Sequence, residues 1–343
     1  MGLNLRSEID SITHFSKELR YRVWWALFML DTVVCEITGR PPTMGHTVCT
    51  TPLPIPFAEE VLWDKRAVQL VTNQGTRNAF FTSLLSDATA VLPSETLPQK
   101  NSGQHTSSKG KQPEDKPDQA GPENPTPNAS LYFLYAVDLA HLLREAVDIL
   151  YAPGSTRQTW HEVESAITTL NNHADNWLSR LPVEFRLTTL DPTQQFAQQR
   201  VGLACRFYAT KMIILQPCIR RLFPKSSGVS TPGMVCENMA AMCVQMAGQM
   251  VDLLPEEVDM TWLYSAAPRW CILHNIMQAT SILLTELLTR TTLDTPQAVD
   301  PTAKIKKAIQ WLHKMSAKDP SSWRAWIICT EMLSRHGSRF GIS

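Results

Sequence analysis

Along most of this chain apolar residues recur every three or four positions, and no stretch shows sustained alternation. Residues 18–42 (ELRYRVWWALFMLDTVVCEITGRPP) set the pattern. Val23, Leu27, Leu30, Val34 and Ile37 step at helical spacing there, and Trp24, Phe28 and Cys35 widen the stripe. The pattern predicts a helix over 17–38, embedded between other helices and not laid on a surface. Ser16 is its expected N-cap. Gly39 stands where a C-terminal cap needs positive φ, and Pro41 and Pro42 cannot continue a helix. Asp31 lies in the apolar face, where a carboxylate needs a partner, and Arg40 or Arg20 is the expected one.

Residues 43–57 are rich in Pro and Thr. Pro52, Pro54 and Pro56 alternate with Leu53, Ile55 and Phe57, which predicts an extended strap on a helical body and excludes a central strand. A less regular helix is expected from about Asp64, through Val68, Val71, Phe80, Phe81, Leu84 and Leu85. Between 93 and 130 apolar residues nearly vanish and prolines fall at 93, 98, 113, 117, 122, 125 and 127. Such a segment cannot bury enough surface to offset its ordering entropy and is expected to be disordered. Its typical end-to-end span of about 35 Å lets it loop out of one body.

Helical patterns then follow one another. Leu131, Leu134, Tyr135, Asp138, Leu142 and Ile149 mark one; Trp160, Val163, Ile167, Leu170, Ala174, Trp177 and Leu181 mark the next, ended by Pro182. Phe196, Leu203, Phe207 and Ile214 mark a helix expected to stop near Pro217. Thr231 and Pro232 are a start signal for a Met-rich stripe of Val235, Met239, Met242, Met246, Met250 and Leu253. Helices over 270–288, 303–315 and 322–333 complete the chain, and no fixed-period repeat is visible. The expectation is an all-α fold: a single multi-helix domain whose N-terminal part is 1–92, whose Pro/Ser-rich insertion is 93–130 and whose remainder is 131–343.

Composition narrows the function classes. The 343 residues carry 32 basic and 32 acidic side chains, a formal net charge of zero. A protein that grips nucleic acid by itself needs a basic excess or patch. Here Arg220 and Arg221, and Lys304, Lys306 and Lys307, read as solvated helix ends. The eight cysteines include no CxxC and sit in apolar patterns, as reduced thiols would inside a cell. No secretory signal is visible and the run from Val23 to Leu30 is too short for a bilayer, so an intracellular, soluble chain with no membrane partner is expected. Cys236 and Cys243 share a helical face but lack further ligands, and the nine histidines are isolated, so no metal site is expected. There is no GxSxG, no phosphate-binding glycine loop and no acidic cluster around Asp31, so no catalytic residue is assigned and the chain is not expected to be an enzyme. The Met-rich helix fits core packing or an adaptable groove. The alternative function is therefore an all-α enzyme or lipophilic small-molecule binder with a pocket along that helix.

The stretch 18–42 resembles the signature of the fungal-specific transcription factor domain, the regulatory middle region of zinc binuclear-cluster regulators. The matching positions are Glu18, Arg20, Arg22, Trp24, Trp25, Leu30, Asp31, Gly39, Arg40 and Pro41. Weaker likenesses cover NWLSRLPVEFRL at 176–187, TKMIILQPCI at 210–219, and AIQWLHKMS and WRAWII near the end. Family members carry a six-cysteine zinc cluster with two CxxC pairs, a basic linker and often a coiled coil, none of which occurs here. Their signature also follows several helices, so this chain is expected to be the C-terminal part of such a regulator. The resemblance implies a nuclear regulatory domain controlling RNA polymerase II transcription through partner or inducer binding, with nucleic acid contacted only indirectly. It implies no cofactor in this chain. Its partners would be transcriptional co-regulators or a zinc-cluster regulator, in a homo- or heterodimer, and the signature residues would be architectural.

Overall fold

Thr13 opens the first helix: its backbone is extended, and its hydroxyl accepts the Ser16 amide at 3.3 Å. Ser16 is therefore a first-turn residue and not the cap, and the helix α1 runs over His14–Thr38. Gly39 ends it in the left-handed region at φ 63. A computed structural model describes residues 2–6, 12–44, 49–85, 125–187, 195–222, 233–289 and 301–337. Among them are eleven α-helices, three short 3-10 turns and no strand, so the fold is all-α. The expected insertion lies outside the described residues up to 124; its last two positions, Ala129 and Ser130, already belong to a helix. The Thr231–Pro232 start signal also lies outside them.

The single helix expected after Asp64 is two, α2 (Lys65–Thr72) and α3 (Gln74–Leu84). Asn73 makes the break, ending α2 while its side chain accepts the Thr76 amide at 3.0 Å to cap α3. Then come α4 (Ala129–Leu150), α5 (Trp160–Ser179), α6 (Ala197–Leu222) and α7 (Met234–Asp252). The short α8 (Met260–Ala266) leads to α9 (Arg269–Thr289), α10 (Pro301–Ser316) and α11 (Pro320–Gly337). A capping box, Thr159 with Glu162, starts α5.

The extensive α6–α7 pairing joins two layers. Helices α4 and α5 pack beside α6, helices α9 and α10 beside α7, and α11 closes over α9 and α10. The first helix lies on α4, with α2 against it. Segment Arg269–Leu288 of α9 is long and apolar enough to cross a membrane, yet half of it is buried within this helical body. Three tryptophans anchor the layers: Trp25, Trp177 and Trp311 are buried, and each donates its indole N–H to a backbone carbonyl. The acceptors are Pro52 at 2.8 Å, Tyr135 at 3.1 Å and Pro255 at 3.1 Å. Such a bond lets a large apolar body enter the core without orphaning its polar tip.

Pro217 does not stop α6, which continues through it to Leu222. Proline has no N–H, so the carbonyl four residues back, Ile213 O, loses its helical donor. The Tyr151 hydroxyl, just past α4, supplies the missing donor at 2.7 Å. Tyr151→Phe is expected to lower stability by about 1–3 kcal/mol, because it leaves that carbonyl unsatisfied in the interior. Urea denaturation checks this; a cost under a few tenths of a kcal/mol would show that α6 tolerates the proline unaided.

Candidate functional site

The inward face of α1 is made by Glu18, Tyr21, Trp25, Phe28, Thr32 and Cys35, all buried and spaced alternately by three and four. Most of the stripe expected to point inward faces out instead: Val23, Leu27, Leu30 and Val34 are 43, 39, 50 and 43 % exposed, Ile37 and Trp24 are half-buried, and only Phe28 and Cys35 of that set turn inward. The helix is therefore laid on a surface and not embedded. The inner face could contain Glu18 and Thr32 because the fold supplies partners for both: Thr32 donates to its own helix at Phe28 O, and Glu18 binds the strap.

The strap, residues 49–58, runs extended across α1 with Leu53 and Ile55 buried. Its alternating prolines remove donors, and among the described residues no neighbouring strand donates to its carbonyls, so side chains do that work. Trp25 donates to Pro52 O, Arg77 to Leu53 O, and Arg22 to Phe57 O at 2.8 Å. Glu18 Oε1 accepts the Ile55 amide at 2.9 Å and Arg22 Nε at 3.2 Å. Asn128, the N-cap of α4, donates to Pro56 O at 3.1 Å. Burial pushes the Glu18 carboxyl up from its ordinary value, against the pull of Arg77 and Arg22. Burial likewise pulls Arg77 down to about 10, with Glu18 opposing.

A second cluster fixes the exit from α1. Asp31 accepts the Thr43 hydroxyl at 2.5 Å, the Met44 amide at 3.2 Å and the Thr43 amide at 3.4 Å. Arg144 on α4, 3 % exposed, reaches Asp31 Oδ2 at 3.4 Å and donates to Met44 O at 2.5 Å. Burial pushes the Asp31 carboxyl up, but the Thr43, Met44 and Arg144 hydrogen bonds outweigh it and hold it below the usual carboxylate value. The expected partners Arg40 and Arg20 are not the ones used. Arg40 is exposed beyond the Gly39 turn, whereas Arg144 comes from a helix more than a hundred residues away in sequence.

Trp24 is half-buried beside the Cys49 thiol, Leu30 is on the outer face, Arg20 is half-buried, and Pro41 accepts the Cys35 thiol at 3.7 Å. The structure thus gathers Glu18, Arg22, Trp25 and Asp31 around the strap and its approach, while Leu30 lies on the outer face and Arg40 is exposed beyond the turn. Sequence reasoning missed Arg77, Arg144 and Thr43. The signal for Arg144 was present, since it is the one arginine within the apolar run of α4.

The far end of α1 borders a cavity of about 120 Å³ between α1, α4, α6 and α9. Its walls include Val33, Ile37, Leu139 and Leu143, with Glu36 and His274 at 3.4 Å from each other. Cys205 and Cys271 also line it; burial pushes their thiols up to about 12 and about 11, so they stay protonated at neutral pH. Along the Met-rich helix Met246 and Met250 are buried, and Met242 edges an open groove that also holds Lys211. Lys211, itself 2 % exposed, is held by Asn171 at 2.5 Å and Asp175 at 2.7 Å. In the lysine trio Lys304 pairs with Asp252 and Lys307 with Glu256 at 2.7 Å, while Lys306 is exposed. Among the described residues no group of three or more His, Cys, Asp or Glu is placed to share a metal ion.

Known transcription regulators are similar to this chain. Transcription regulator galc of Aspergillus niger is 29 % identical over an alignment covering all of this chain and 43 % of its own length. The thiamine repressible genes regulatory protein thi1 of Schizosaccharomyces pombe is 35 % identical over 20 % of this chain and 10 % of its own. The chain thus spans less than half the length of the curated relatives it matches. No solved structure matches it. Residues 1–179, more than half the chain and including both α1 and its strap, match the fungal specific transcription factor domain, and this chain belongs to that family.

Proposed function

We propose that the chain is a non-catalytic regulatory domain of a nuclear transcription regulator, acting on RNA polymerase II transcription by pairing with another chain and contacting DNA only indirectly. It needs no cofactor for this. The observation that carries the reading is the outward face of α1. Val23, Leu27, Leu30 and Val34 follow the four-three alternation of a coiled-coil seam, and all four are exposed. The inner face is already held by the strap and by α4, so the outer one can be occupied without unfolding anything.

The proposed occupant is α1 of a second copy. A seam with this period fits a helix of the same period, and α1 is a helix that presents one to solvent. A zero formal net charge sets no repulsion between copies. The exposed apolar strip is on the order of a few hundred Å², below the roughly 800 Å² per partner of a standard stable interface. It therefore suits a weak, concentration-dependent dimer and not a permanent one.

Sedimentation velocity across micromolar to near-millimolar concentrations tests this. The wild-type chain is expected to shift from monomer to dimer. The double variant Leu27→Glu, Leu30→Glu is expected to remain monomeric while its thermal midpoint changes little, as both side chains are on the exposed face of α1. A chain that stays monomeric throughout, or a variant that dimerises as well as wild type, sinks the pairing. A dimer formed only on mixing with a different regulator would replace the second copy with that partner.

A further inference from the structure

We propose that the cavity between α1, α4, α6 and α9 binds a small hydroxyl-bearing molecule with an apolar body about the size of a benzene ring. The inference deepens the regulatory reading above, on which its biological meaning rests, by naming an effector site and the class of effector it takes.

Size comes first. The cavity measures about 120 Å³, and apolar cavities of about 150 Å³ accept benzene. Its aliphatic wall is Val33 and Ile37 from α1, Leu139 and Leu143 from α4 and Ala209 from α6, with Tyr132, Arg206, Thr210 and Asn275 also on the lining. Its edge at the α8–α9 joint is Pro268, which is exposed, so a ligand has a way in.

The polar end sets the chemistry. Glu36 is 8 % exposed at its side chain, yet its Oε1 has no hydrogen bond. His274 Nε2 lies 3.4 Å from that oxygen, within ion-pair reach, but no hydrogen bond forms between them and it is likewise unsatisfied. Buried polar atoms are normally satisfied, and a pair left open on a cavity wall marks a place for a ligand group. An ammonium only donates and a carbonyl only accepts. A hydroxyl does both: it donates to the Glu36 carboxylate while its oxygen accepts from the imidazole N–H. Because Glu36 belongs to α1 and His274 to α9, the bound hydroxyl would tie the signature helix to the opposite layer.

Titration calorimetry of the intact chain with phenol and with toluene tests the proposal. Saturable phenol binding is expected, with toluene at least ten-fold weaker because it cannot bridge the pair. Glu36→Gln, which keeps size and shape, is expected to weaken phenol about ten-fold and leave toluene unchanged. Ala209→Leu, which fills the cavity, is expected to abolish both, with circular dichroism confirming that each variant folds. Absence of saturable phenol binding at millimolar concentration, equal affinity for phenol and toluene, or indifference to Glu36→Gln would each overturn the site, the first showing solvent as its only occupant. Failure here with concentration-dependent dimerisation intact would leave the regulatory reading standing; loss of dimerisation with phenol binding intact would do the reverse.

Discussion

Replacing Trp25 by alanine is expected to destabilise the chain by about 3–5 kcal/mol, a large part of a domain's usual margin of roughly 5–15 kcal/mol. The indole is 1 % exposed and packs edge-on against Phe28 at 5.3 Å and against the His141 ring at 4.8 Å. Truncation opens a cavity between α1 and α4 and also removes the donor to Pro52 O on the strap. Trp24→Ala is expected to cost far less, since that ring is half-buried. The contrast is the informative part, because the two tryptophans are adjacent and chemically identical. Trp25→Phe separates the terms: it keeps much of the packing and removes the hydrogen bond, for an expected cost of about 1–2 kcal/mol. Chemical denaturation of the three variants measures all of this. Equal costs for Trp24→Ala and Trp25→Ala would mean that the inner face assigned to α1 is wrong.

The Trp25 result would also explain why some of this molecule could be read in advance and some could not. Helix positions were legible because apolar spacing is local: of the Trp160, Val163, Ile167, Leu170, Ala174, Trp177 and Leu181 series, the last five are buried and the first two half-buried. The strap was legible because alternating prolines forbid a central strand and a helix alike. Which face of α1 turns inward was not. Periodicity ranks faces by hydropathy, and by that measure Val23, Leu27, Leu30 and Val34 outrank a face containing Glu18 and Thr32. What decides the matter is non-local: the strap brings backbone donors and acceptors that make Glu18 and Arg22 cheaper to bury than to leave apart. The same limit hid Arg144, whose partner is 113 positions away, and Tyr151, whose role exists only because Pro217 sits opposite it. Sequence spacing carries no record of such meetings.

Asp31 is the sharpest case, and its removal is the second large expected effect. Asp31→Ala takes the counter-charge from Arg144, which is 3 % exposed, and the acceptor from the Thr43 hydroxyl and two amides. Loss of one member of a buried pair typically costs about 3–5 kcal/mol. Here Arg144 keeps Met44 O and a contact with the half-exposed Asp148 at 3.5 Å, so about 2–3 kcal/mol is expected. Asp31→Asn keeps a carbonyl acceptor but not the charge and should lose about half as much. The carboxyl sits below its ordinary value in the folded chain. Its contribution is therefore fully present above the unfolded value of about 3.9 and disappears as pH falls through the lower folded value. The stability gap between wild type and Asp31→Asn should thus be constant from pH 8 to about pH 5 and close below about pH 4. Thermal midpoints of the two proteins across that range measure it. A gap that persists undiminished at pH 3 would show that the exit turn is held by shape alone and that the Asp31 charge contributes nothing to it.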